Sequence, residues 1–190
     1  MKVQTLRFGV LEVGDGEIIT LPEGIFGFPD SKRFCLVDSG DDTLILWLQS
    51  LDNPSIAFPV LEPKIFKPDY IVSLSAQELR HLNLENVNQS IVFTVLTIPK
   101  DVTQLTANLK APLVINLSAQ VGKQVVLQEN EYALKYPIFK ELKAHLMTIE
   151  ASNATQARAE AERETVRKPP VTVPINLRQM APSQQVRILS

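Results

Sequence analysis

Short β-type runs, recurring in much of the chain at intervals of about ten residues and separated by Gly, Pro, Asp or Asn, most narrow what this chain can fold into. Residues 34–38, 44–50, 56–61, 91–98, 113–117 and 123–127 are too short for self-supporting helices and are rich in Val, Ile, Leu and Phe. The pattern predicts a mainly β chain: a compact, antiparallel, β-barrel-like single domain. Residues 8–12 and 17–20 flank Val13-Gly-Asp-Gly16, which reads as a hairpin turn. A second hairpin is expected around Ser39-Gly-Asp-Asp42, and a third across residues 118–122. Pro59 makes residues 56–61 an edge strand or a bulged one, because proline has no N–H to give a ladder. Trp47 is expected in the core.

One or two short helices interrupt the β pattern. Ser75-Ala-Gln-Glu78 is a capping box, in which the serine accepts from the third helical amide and the glutamate reaches back. Residues 136–147 carry apolar side chains at helical spacing, with Pro137 suited to a first turn. The body is expected over residues 1–149. Residues 150–190 form a C-terminal tail, first Ala/Glu/Arg-rich, then stopped by Lys168-Pro-Pro170 and extended beyond it. The tail is read as mobile, with folding back on the body or contact with RNA as alternatives.

Charge separates the same two parts. Residues 1–150 hold 13 Lys/Arg against 18 Asp/Glu, and residues 151–190 hold 6 against 3. An acidic body repels phosphate, so direct nucleic-acid binding by it is disfavoured and basic partners are favoured. Cys35 is the single cysteine, which excludes an internal disulfide and fits a reducing cytoplasm. No apolar run reaches membrane-spanning length.

Nothing in the chain assembles into a reaction centre. His81 and His145 have no Cys or His at metal-ligand spacing, and no nucleophile elbow or phosphate loop occurs. No cofactor, metal site or enzymatic activity is expected. The carboxylates Asp38, Asp41 and Asp42 cluster in a Ser/Gly/Asp stretch read as a turn, where solvation is expected, which suits them to a basic protein rather than to acid–base chemistry. Leu21-Pro-Glu-Gly-Ile-Phe-Gly-Phe-Pro29 must be an irregular loop that displays Phe26 and Phe28. Phe66 and Tyr70 lie in a similar turn-rich segment, between Pro63 and Val72. These four aromatics are either anchors for a partner or plugs closing the barrel ends.

Several segments, taken together, resemble one family. They are Phe8-Gly-Val-Leu-Glu12, Ile19-Thr-Leu-Pro-Glu-Gly-Ile-Phe-Gly-Phe28, Trp47-Leu-Gln-Ser50, Ile56-Ala-Phe58 and Leu105-Thr-Ala-Asn-Leu-Lys-Ala-Pro-Leu-Val-Ile-Asn116. In this order the chain, over roughly residues 2 to 145, is similar to the flagellar assembly factor FliW family. The resemblance implies a cytoplasmic, β-barrel-like binding protein, monomeric when free, with two partners. These are flagellin, through its C-terminal region, and the translational regulator CsrA, whose repression of flagellin translation it antagonises. A small-molecule-binding barrel and a flagellin chaperone without a regulatory role are the alternatives. The Leu105–Asn116 stretch offers shape and amide hydrogen bonds but no reactive group. Asn108 and Asn116 are expected to tie irregular backbone.

Overall fold

The computed structural model describes residues 1–40, 43–85, 89–129, 131–157, 171–172 and 186–188. In chain order the strands and helices are β1 (Lys2–Thr5), β2 (Gly9–Glu12), β3 (Ile19–Thr20), β4 (Arg33–Asp38), β5 (Leu46–Ser50), β6 (Ala57–Leu61) and β7 (Val72–Leu74). There follow α1 (Ala76–His81), β8 (Ser90–Thr97), β9 (Thr106–Ala107), β10 (Leu113–Asn116), β11 (Val121–Gln124), β12 (Tyr136–Pro137), α2 (Phe139–Ala157), β13 (Val171–Thr172) and β14 (Val186–Ile188).

Seven strands close on themselves. The order β10-β11-β3-β4-β5-β6-β8 returns to its start because β8 also pairs with β10, Phe93 opposite Leu113 and Ser90 opposite Asn116. Every pair in this barrel is antiparallel except the single β11–β3 contact, Val121 opposite Thr20. The mainly β, barrel-like architecture expected from the strand spacing is the one observed. Closure explains why β4 and β8 read as continuous apolar runs rather than alternating ones: both of their faces are covered. Phe34 and Leu36 point inward with Leu48, Val60, Ile91, Phe93, Leu113 and Ile115 and fill the barrel. Cys35 and Val37 point outward beneath the β1–β2 hairpin, where they pack with Leu11, Val13 and Leu51. Val92 and Val114 face a larger outer core built from residues 61–84, 105–109, 125–142 and the start of α2.

The β4–β5 hairpin forms as expected, with Phe34 opposite Ser50 through Asp38 opposite Leu46. So does β10–β11, Leu113 opposite Gln124. The first hairpin differs. β2 pairs with β1 across a turn of residues 6–8 that closes at Gly9 (φ +69°), not with β3 across residues 13–16. Residues 15–17 instead form one 3-10 turn, and β3 is given to the barrel. Pro59 lies opposite Trp47, while β6 meets β8 only at Val60 and Leu61, so the proline sits beside the end of that ladder.

Helix α1 carries the capping box: the Ser75 amide donates to Glu78 Oε2 at 2.6 Å, and the Glu78 amide to Ser75 Oγ at 3.3 Å. Its other end closes as a Schellman motif, with Asn83 at φ +50° and the amides of Leu84 and Asn83 donating to the carbonyls of Leu79 and Arg80. Asn116 Nδ2 then caps the carbonyls of Leu82 and Asn83, both at 2.9 Å, while Oδ1 accepts from Ser118 and Ala119. Asn116 therefore ties α1 to the β10–β11 turn. The second helix begins at Phe139, three residues later than its periodicity predicts, because Tyr136 and Pro137 pair with β9. It runs past residue 150 to Ala157, while Lys168-Pro-Pro170 lies outside the described residues.

Candidate functional site

The loop from Leu21 to Lys32 is held from inside, which leaves its aromatic side chains outside. Pro22 presets a turn closed by the Gly24 amide on the Leu21 carbonyl at 2.8 Å. The Phe28 amide closes the next on the Ile25 carbonyl at 2.7 Å, with Gly27 at φ +86°. That positive φ at the third position is the type II geometry only glycine takes without strain. Gly24, at φ +71°, is constrained twice over: a Cβ there would lie 2.5 Å from the Phe28 carbonyl oxygen and 2.9 Å from Pro29 Cα.

Three buried side chains anchor this loop to the barrel. Leu21 and Ile25 enter the barrel core. Gln124, buried in β11, accepts from the Phe26 amide at 2.9 Å and donates to the Ala111 carbonyl at 3.0 Å. With its backbone so fixed, the loop presents Phe26 at 55% exposure and Phe28 at 40%. Phe28 leans edge-on against Phe58 of β6, with centroids 5.2 Å apart. Beside the loop, Lys123 Nζ reaches Glu23 Oε1 at 2.5 Å, and that hydrogen bond holds the Glu23 carboxyl below the usual range. Pro22, His81 and Gly122 complete a shallow depression there. Preordered apolar surface rimmed by charge is chemistry for gripping a protein.

The other expected anchors are not on the surface. Phe66 is 4% exposed and Tyr70 is fully buried, both in the outer core. Tyr70 donates to the Leu109 carbonyl at 2.6 Å and packs on Tyr132, with centroids 4.7 Å apart. Burial pushes its phenol well above the usual tyrosine range. Phe66 stacks on Tyr136. Of the two roles open to them, these rings take the structural one, because residues 63–74 must cover the outward faces of β8 and β10. Asp38 ends β4 half-buried and accepts from the Gly40 amide at 2.8 Å, so it shapes its own turn. Asp41 and Asp42 lie outside the described residues.

A surface that the sequence did not announce lies on the β1–β2 hairpin. Trp47 is half-buried rather than central, and the Arg7 guanidinium stands 3.5 Å from its ring centroid, with Phe8 edge-on at 6.1 Å. Exposed Leu6 and Val10 lie on the same hairpin. The signal for it was the Arg7-Phe8 pair, which becomes meaningful only once β2 is known to pair with β1.

Groups that might have served chemistry are committed elsewhere. Burial first, and then Glu17, push the Cys35 thiol up to about 12, so it is no nucleophile at neutral pH. The Gln49 amide donates to the carbonyls of Ser50 and Ile56, and Asn108 accepts from the Ala111 amide. With the barrel interior filled by side chains, these amides do not converge on a ligand space. Among the described residues no three His, Cys, Asp or Glu groups are placed to hold a metal, and no helix is long and apolar enough to cross a membrane.

Comparison with known proteins gives a consistent result. A family model described as FliW protein matches residues 2–138. The flagellar assembly factor FliW of Bdellovibrio bacteriovorus is 42% identical over 147 residues, covering 77% of this chain and 84% of that protein. Its namesake from Thermoanaerobacter pseudethanolicus is 38% identical over 144 residues, 75% of this chain and 96% of that protein. A crystal structure of the flagellar assembly factor FliW superimposes with a TM-score of 0.69 at 32% identity, covering 73% of this chain and 97% of that one.

Proposed function

The chain belongs to the FliW family of flagellar assembly factors, and from that premise we propose that it is a cytoplasmic binding protein for two partners, flagellin and the translational regulator CsrA. Flagellin that accumulates occupies it and leaves CsrA free to repress flagellin translation. Once flagellin is exported, the vacated protein binds CsrA and lifts the repression. The observation that carries a binding role is the Phe26/Phe28 surface: two exposed aromatic rings on a backbone locked by Gly24, Gly27 and Gln124. Aromatic side chains ordered before binding lose little entropy on docking, which is the character of interface hot spots.

Electrostatics supports the second partner. A protein that binds RNA carries basic surface, and the acidic body is complementary to it. The acidic stretch of sequence with Asp38, Asp41 and Asp42 is the proposed contact for that charge. The test is a pull-down with purified flagellin and CsrA, singly and in competition, using the native chain and a Phe26→Ser/Phe28→Ser variant. Each partner binding alone, with one displacing the other and the variant weakened at least about tenfold toward one of them, is the expected result. Binding of neither by the native chain rejects the proposal. Binding of flagellin without CsrA leaves the chaperone alternative.

A further inference from the structure

Barrel closure removes most strand edges, and among the described residues two of those that remain, on β4 and β7, are paired by the C-terminal segment. The distal half of β4, beyond its pairing with β3, takes β13 antiparallel, Val171 opposite Asp38 and Thr172 opposite Val37. Strand β7 takes β14 parallel, Val186 opposite Val72, Arg187 opposite Ser73 and Ile188 opposite Leu74. Among the described residues β14 is the sole strand partner of β7.

Strand β7 is itself firmly placed. Val72 and Leu74 are fully buried in the outer core, and α1 begins directly after the strand. What the strand offers outward is therefore its main-chain edge, a template that any extended segment can join. The occupant seen is a weak one. It pairs over three residues, in the parallel sense that is slightly less stable per residue, and residues 158–185 separate it from the end of α2. It also lies beyond the residues that the FliW family model matches. A match over 144 residues, 75% of this chain, covers 96% of the Thermoanaerobacter protein, which leaves that relative little length for such a segment.

We propose that the β7 edge is a strand-accepting docking site which this chain occupies with its own Val186-Arg-Ile188. It accepts in its place an extended partner segment of the same chemistry, β-branched residues flanking a cation, in parallel pairing. A cation in the incoming strand suits a body that carries more carboxylates than basic groups. The tethered strand acts as a competitor at high effective concentration, so the site admits a partner only when that partner outcompetes it. This site is separate from the Phe26/Phe28 surface, and its failure would leave that assignment standing.

The probe is a labelled peptide of residues 183–190, titrated by fluorescence anisotropy against three proteins. These are the full chain, a chain ending at residue 157, and the full-length Val186→Pro/Arg187→Pro variant. Adjacent prolines remove one ladder donor whichever of the two amides faces β7. The peptide is expected to bind the shortened chain and the proline variant at least about tenfold more tightly than the full chain, which still carries the tethered competitor. The same peptide with prolines at both positions is expected not to bind, and the amides of residues 72–74 should exchange faster in the proline variant. Equal affinity for all three proteins, or no binding to a proline variant that melts like the native chain, overturns the proposal. A full-length dimer dissolved by the two prolines overturns its intramolecular form, since β14 would then come from a second copy.

Discussion

Residues 21–29 and residues 63–72 are built from similar materials: two prolines each, few regular hydrogen-bonded strands, and two aromatic rings. In the first, Phe26 and Phe28 face solvent; in the second, Phe66 and Tyr70 are buried. The difference lies in what fixes each backbone. The first loop is held by its own turns, by two buried aliphatic side chains and by Gln124 from β11, so its rings are not needed for the fold. The second crosses the outward face of β8 and β10 and is held by its rings, with Tyr70 bonded to Leu109 and packed on Tyr132. A ring is free for a partner when the backbone beneath it is anchored by something else.

The largest test of this contrast removes a structural ring. Tyr70→Ala is expected to cost about 3–5 kcal/mol, from the cavity and from the Leu109 carbonyl left without its donor. Phe66→Ala should fall at the lower end of that range. Urea denaturation measures both, and a loss under 1 kcal/mol for Tyr70→Ala would mean the segment is not core. Next comes the backbone lock of the exposed loop. Gly24→Ala forces a positive φ on alanine and drives its Cβ against the Phe28 carbonyl, for an expected loss of about 2–3 kcal/mol. The melting temperature should fall by several degrees; an unchanged value would show that the loop is not locked.

Smaller effects separate binding from folding. Phe26→Ser should change stability by no more than about 0.5 kcal/mol, since its ring is mostly in solvent. Partner affinity measured by calorimetry should still drop, and a variant that unfolds instead would place Phe26 with Phe66. The smallest change is Glu62→Gln, at the entrance to the second segment. Burial raises the Glu62 pKa above the ordinary value of 4.5, so its folded-state carboxylate holds its proton to higher pH than the unfolded one. Native stability therefore falls as pH rises from 4.5 through that raised value, and the glutamine variant lacks this decline. The two proteins should melt together at low pH, with the variant slightly higher at neutral pH; no pH dependence in the difference would remove Glu62 from this role.

What could be read in advance follows from the range of the interactions. The β4–β5 hairpin and the α1 capping box depend on neighbours a few residues apart, and both form as expected. The β1–β2 pairing is not legible because residues 13–16 have hairpin composition, while the turn actually used, residues 6–8 before Gly9, is less marked in sequence. Helix α2 starts late for a similar reason: Pro137 suits a first helical turn, but β9 claims it as strand. Phe26 and Phe28 could be singled out from the glycines around them, whereas the hairpin surface of Arg7 and Trp47 could not.

Local chemistry alone determined that this chain forms short strands, where most of them lie, and which family it resembles. Those properties rest on backbone preferences, turn residues and the kinds of side chain present, all contained within a few consecutive residues. Tertiary structure decided that the sheet closes, through β8 meeting β10, and which aromatic pair faces outward. It also decided where the C-terminal strands lie. The partners in those decisions are far apart in sequence, Tyr70 and Leu109 or Phe26 and Gln124, and their hydrogen bonds form only once the barrel has brought them together.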